Sequence, residues 1–160
     1  MVNIGTTVPE LEALYRRRYR AFLRVAAAVA GDEARGADAV QDAFVRAITS
    51  RAAYRGDGPL EAWVWRIVLN AARAVRPRAE LALPASLAAA SDNHRGGAHE
   101  VDAWLAVLPD RERLVVFLRY FADLEYRAIA TALDVKVGTV SATLHAAHAA
   151  LRRSLEEAPK

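Results

Sequence analysis

The densest set of chemistry-bearing side chains in the sequence lies between Tyr54 and Arg73. Tyr54, Arg55 and Asp57 share a short stretch with Gly56, Gly58 and Pro59; Trp65, Arg66, Asn70 and Arg73 follow at helical spacing. Aromatic faces hold unstacked bases with about 1–3 kcal/mol each, and arginines neutralise the phosphate backbone. Glycines let backbone groups approach an extruded nucleotide closely. From Arg51 to Arg78, six arginines stand against Asp57 and Glu61, a local excess larger than the +3 of the whole chain. Such a patch is the footprint of a phosphate-binding face. Trp65 falls on the expected polar side and is the candidate stacking platform, whereas Trp63 lies near the apolar stripe and suits packing. The competing reading places both tryptophans in a core and leaves the arginines as a solvated face.

These residues need a scaffold, and the rest of the chain supplies helices. Apolar residues make up 54% of the 160, much of it alanine, and β-branched runs are short, so helix is favoured over sheet. Leu11, Leu14, Tyr15, Arg18, Phe22, Val25 and Val29 recur at helical spacing, with Arg18 the one polar interruption. They predict a first helix from about Pro9 to Ala30, stopped by Gly31. Asp32 and Asp38 are candidate caps for a second helix, with Val40, Phe44, Ala47 and Ile48 as its apolar stripe and an end near Arg51. Asp38, Gln41, Asp42 and Arg46 lie away from that stripe. The Gly-Asp-Gly-Pro loop separates it from a third helix that starts near Leu60, buries Leu60, Val64, Ile67, Val68, Ala71 and Val75, and stops at Pro77. Residues 79–98, with Pro84 and Gly96-Gly97, suit a flexible linker.

The second half predicts helices over about 99–107, 110–121, 126–133 and 137–155, with Pro109 opening one of them. The last two are joined by Asp134-Val135-Lys136, the short connection of a helix-turn-helix. A helix of this kind docks in the major groove with residues that pair to base edges or phosphates. Here the candidates are Lys136, Thr139, Ser141, Thr143 and Arg152, and no lysine or arginine stands between Lys136 and Arg152. The electrostatic part of duplex binding is therefore expected to be small, and a structural helical hairpin is the competing reading. The fold class expected is all-α, in two small helical domains at 1–78 and 99–160.

Several function classes drop out. The chain has no cysteine, so disulfides and thiolate metal sites are excluded. His145 and His148 have a spacing that metal ligands use, but no carboxylate stands near them, so no metal and no cofactor is expected. No nucleophile–base set or phosphate-cradling loop is legible, and an enzyme is not expected. No apolar run is long enough to insert in a bilayer, and the first residues lack a secretory pattern, so cytoplasmic residence is expected.

Three stretches carry a resemblance to a known family. DAVQDAFVRA resembles a DLVQEAFLRA pattern, YRGDGPLEAWVWRIVLN resembles FRG…F..WL.RI..N, and LPDRERLVVFLRYFADLEYRAIATAL with the following VGTV…LH resembles a whole carboxy-terminal domain. Together the chain resembles an extracytoplasmic-function (ECF) sigma factor, the compact sigma-70-family type with domains two and four only. The resemblance implies a dissociable subunit that binds bacterial core RNA polymerase through its clamp helices and flap and directs promoter DNA recognition and opening. It implies that Asp38, Gln41, Asp42 and Phe44 grip the clamp helices. Tyr54, Arg55, Asp57, Trp65, Arg66, Asn70 and Arg73 would take the melted minus-ten element, and the helix bearing Thr139, Ser141 and Thr143 the minus-thirty-five element. An anti-sigma factor is an implied partner. The chain departs from the family in lacking basic residues near Ser141, Thr143, Ala146 and His148, and in replacing a usual glycine with Asp134. Those departures leave open an alternative: a sigma-like interaction protein that binds an anti-sigma factor or polymerase without reading duplex DNA. An ordinary helix-turn-helix repressor would leave the first half without a purpose.

Overall fold

The computed structural model describes residues 5–77 and 105–157. Helix α1 spans Val8–Ala30 and is set at both ends by local chemistry. Thr7 and Glu10 form a reciprocal capping box: the Glu10 amide donates to Thr7 Oγ1 at 3.3 Å, and the Thr7 amide donates to Glu10 Oε2 at 2.8 Å. Those hydrogen bonds, the one from the Thr7 backbone first, hold the Glu10 carboxyl below its ordinary range. Gly31 closes the helix at φ 106°, a left-handed conformation that glycine adopts without a Cβ penalty.

Helix α2 spans Glu33–Thr49. Its cap is Asp32, whose Oδ1 accepts from the Arg35 amide at 2.8 Å. The other candidate cap, Asp38, lies inside the helix. Gly36 is where α1 and α2 approach most tightly among the described glycines: a Cβ there would stand 2.5 Å from the Ala27 backbone nitrogen. A short 3-10 turn, Arg51–Ala53, leads into the Gly-Asp-Gly-Pro loop. Helix α3 then runs over Leu60–Val75. Pro77 ends it by forcing Arg76 into an extended conformation.

In the second half, α4 (Asp110–Val116) continues into a π-helical stretch at Phe117–Phe121. Helices α5 (Tyr126–Leu133) and α6 (Val137–Glu157) follow, joined by Asp134, Val135 and Lys136 as the sequence predicts. Among the described residues there is no strand, so the all-α expectation holds. The expected linker at 79–98 and most of the expected helix at 99–107 lie outside the described residues.

Phe22 anchors the first half. It meets Trp65 at 4.5 Å between ring centroids and Phe44 edge-on at 5.5 Å. Leu108, Leu118, Ile129 and Leu144 are the fully buried anchors of the second half. The two halves share one continuous apolar core, with α3 lying along α5 and α1 touching the π-helical stretch.

Arg113 is a buried cation with a structural task. Its Nε donates to the Leu105 carbonyl at 3.0 Å and its Nη2 to the Leu108 carbonyl at 2.8 Å, and Asp110 pairs with it from 3.6 Å. It thereby satisfies carbonyl groups ahead of α4. Replacing it with methionine takes the guanidinium donor from the buried Leu108 carbonyl, while the Leu105 carbonyl keeps the Leu108 amide at 3.1 Å, so Arg113→Met is expected to lower the unfolding free energy by about 1–3 kcal/mol. Urea unfolding followed by circular dichroism checks this; a midpoint equal to the parent's would show the Leu108 carbonyl has another partner.

Candidate functional site

The third helix sorts its side chains sharply. Ala62, Val64, Trp65, Val68, Leu69, Ala71 and Ala72 are buried and cover half of its circumference. Arg66, Asn70 and Arg73 are exposed and share the opposite arc. Trp65 is therefore not on the polar side. It is 0% exposed, packed on Phe22, and its indole Nε1 donates to Glu61 at 3.3 Å. This corrects the expectation that it forms a stacking platform. The period of α3 alone identified one apolar stripe, but the helix packs against α1 and α2 on one side and α5 on another, so its buried arc is wider than the stripe.

The aromatic that borders the exposed arc is Trp63, which is half-buried. Its ring meets that of Tyr54 at 5.6 Å and 51°. The Tyr54 hydroxyl donates to the Gly58 carbonyl at 2.6 Å, so the ring ties the ends of its own loop together. Burial foremost, then the Glu10 and Asp57 carboxylates, raise the Tyr54 pKa and keep the phenol a donor. Gly56 takes φ 73° at the loop tip, a conformation that requires glycine or a residue of similar freedom. Arg55 and Asp57 are exposed beside it. Of the seven residues expected here, the structure gathers Tyr54, Arg55, Asp57, Arg66, Asn70 and Arg73 around one loop and one helix face. Trp63, which the sequence pattern suited to packing, is the half-buried tryptophan beside this group, and helical spacing gave no signal for it.

Asp38, Gln41 and Asp42 project from one exposed face of α2, where Asp42 pairs with Arg46 at 2.8 Å. Phe44 differs from them. It is 6% exposed and packs edge-on against Tyr15 at 4.8 Å. It shapes one wall of a groove of about 390 Å³ between α1 and α2, along with Tyr15, Gln41, Val45 and Ile48. Ile48, expected within the core stripe, is instead exposed at that rim. An apolar groove with a polar flank is what a partner helix can dock against.

Lys136 is exposed just ahead of α6; on the helix itself Ser141, His145 and Arg152 are exposed, and Thr139 and Thr143 are half-buried. The Thr143 hydroxyl donates to the Thr139 carbonyl at 2.7 Å, so it can offer an incoming group only its lone pairs. His148 meets the Tyr120 hydroxyl at 2.8 Å. Among the described residues no cluster could hold a metal ion, and no helix is long and apolar enough to cross a membrane.

Comparison with known proteins bears on both halves. Residues 14–79 match the family described as Sigma-70 region 2, and residues 104–153 match Sigma-70, region 4. The chain is 32% identical over 156 residues to the RNA polymerase sigma-E factor of Streptomyces avermitilis, covering 93% of this chain and 87% of that protein. It is 26% identical over 139 residues to the ECF RNA polymerase sigma-E factor of Escherichia coli, covering 74% of this chain and 73% of the relative. Its fold is similar to that of CnrH, solved in complex with the cytosolic domain of CnrY, with a TM-score of 0.68 and 24% identity over 96% of this chain and 92% of that one.

Proposed function

Because the chain belongs to the sigma-70 family of transcription initiation factors, as a sigma factor of the ECF type, we propose how its parts divide the work. The first half, 1–78, binds core RNA polymerase and holds melted promoter DNA; the second, 99–160, takes the upstream duplex; 79–98 links them. The protein acts by binding in the cytoplasm, with no catalytic step of its own. The polymerase side is the α2 face of Asp38, Gln41 and Asp42 with the adjoining groove that Phe44 walls. An anti-sigma factor is a further partner.

The observation that carries this reading is the single surface formed by Trp63, Tyr54, Arg55 and Asp57 beside the Arg66–Asn70–Arg73 arc. It combines half-buried rings, a carboxamide able to pair with base edges, and three guanidinium groups for phosphates, which is the composition single strands require. Thr139, Ser141 and Lys136 supply upstream contacts, with Arg152 toward the far end of α6 and the Thr143 hydroxyl as an acceptor. With so few cations on α6, little of the duplex affinity comes from counterion release. The reading as an interaction protein that ignores duplex DNA is not favoured, since both sigma regions are matched and the relatives are named as sigma factors.

Run-off transcription with core polymerase on a genomic fragment library tests the proposal and yields the promoter. Trp63→Ala and Asn70→Ala are expected to leave core association unchanged and to lower promoter opening, read by permanganate footprinting, at least about tenfold, the loss of one stacked base or base-edge contact. Opening equal to the parent's would place the melted strand elsewhere.

A further inference from the structure

The arginines of α1 fall into two groups. Arg16 pairs with Glu12 at 2.7 Å and Arg18 with Glu61 at 2.6 Å. Arg17, Arg20 and Arg24 stand at i, i+3 and i+7 and so form one stripe along one side of the helix. Among the described residues none of these three meets a carboxylate or a hydrogen-bond acceptor. Arg17 and Arg20 are exposed, and Arg24 is half-buried, with its guanidinium 4.0 Å over the Phe121 ring. Glu10 lies on the same arc one stretch earlier, but its carboxylate is turned back to the helix cap, where it accepts from Thr6 and Thr7. The stripe is therefore a row of positive charge that the protein itself leaves unneutralised. Burial foremost, then the charge of Arg20, lower the Arg24 pKa, so the crowding is felt within the row.

We propose that Arg17, Arg20 and Arg24 form a phosphate-binding stripe that takes the backbone of promoter duplex DNA without reading its sequence, a reading that rests on the function proposed above. Three observations support it. The helix expected to dock in the upstream duplex has no lysine or arginine between Lys136 and Arg152, so the electrostatic anchoring it lacks must come from another element. The stripe supplies it outside the loop and the α3 arc. Its length also fits: seven residues of helix span about 10 Å, over which one strand of B-form DNA carries about three charges. Guanidinium forks match phosphate oxygens two at a time. The third observation is the company the arginines keep. Ala13 and Ala21 are their neighbours on the α1 arc, and α1 places no aromatic ring there. Single-strand binding needs rings for stacking, as Tyr54 and Trp63 provide elsewhere, whereas a duplex backbone needs only cations.

Arg17→Gln with Arg20→Gln is the probe, because both side chains are exposed and make no contact whose loss would unfold the chain. Binding of the full chain to a random-sequence duplex, followed by fluorescence anisotropy over a range of salt, reads the stripe directly. The slope of log K against log salt is expected to shrink by about 1.8, or 0.9 for each phosphate no longer contacted. An unchanged slope would overturn the proposal. Arg17→Lys with Arg20→Lys is expected to keep the parent's slope, since it keeps the charge; a slope as low as that of the glutamine variant would overturn a charge-based role. In the complex with core polymerase, the glutamine variant is expected to bind promoter duplex about tenfold more weakly at about 100 mM salt. The factor should be the same on a promoter with a scrambled minus-thirty-five element, and core affinity should be unchanged. Weaker core affinity with an intact DNA slope would give the stripe to an acidic surface of the polymerase and overturn the proposal. The free-chain measurement requires neither polymerase nor a promoter, so the stripe and the reading as an initiation factor fail separately.

Discussion

Trp65→Ala is expected to lower the unfolding free energy by about 3–5 kcal/mol, a large share of the 5–15 kcal/mol that holds a typical domain folded. The indole is 0% exposed and packs at 4.5 Å on Phe22, which is itself fully buried and meets Phe44 in turn. Removing it leaves a cavity at the point where α1 and α3 meet. Glu61 loses the indole donor but retains the Arg18 guanidinium at 2.6 Å, so the loss is mainly one of packing. Chemical denaturation of parent and variant gives the number directly. The same measurement on Trp63→Ala is expected to show a smaller loss, because that ring is only half-buried. The pair thus separates stability from promoter opening: opening per folded molecule should be preserved in Trp65→Ala and impaired in Trp63→Ala. A Trp65→Ala chain as stable as the parent would contradict the packing described for α3.

Gly36→Ala is the second large effect, and its sign is informative. In an ordinary helix interior this change stabilises by roughly 1 kcal/mol, since alanine is the better helix former. At Gly36 the added Cβ would stand 2.5 Å from the Ala27 nitrogen, 2.6 Å from its Cα and 2.9 Å from its Cβ. Two of those atoms are backbone of α1, so no rotamer change relieves the clash. The helices must move apart along a seam that also carries Ala26, Val29, Ala39 and Val40. The net change is expected to be destabilising, toward the upper end of the 1–3 kcal/mol typical of overpacking. A melting temperature at or above the parent's would show that α1 and α2 can part there without loss.

Much of the fold is written locally, and for that reason the sequence discloses it. Thr7 with Glu10, Asp32, Gly31, Pro59 and Pro77 fix helix ends through hydrogen bonds and backbone limits that act within a few residues. The three-residue connection before Val137 sets the helix-turn-helix in the same way. The exposed arc of Arg66, Asn70 and Arg73 follows from helical period alone. What the period could not disclose is how many neighbours a helix has. It marks the stripe facing one layer, and α3 is packed on more than one side, so Trp65 and Leu69 are taken into the core although they lie off that stripe.

The sequence by itself determined the helical class, most boundaries of the first three helices and of the last two, the arginine-rich loop-and-helix segment and the family resemblance, because each depends on short-range spacing or on motif identity. Only the tertiary structure decided which tryptophan borders the polar arc, that Phe44 walls a groove with Tyr15 and Val45, and that Arg18 and Asp134 join the two halves. Those outcomes depend on contacts between residues as many as 104 positions apart, such as Arg18 with Ala122. Pairings at that separation are set by how whole helices pack, and no local periodicity encodes them.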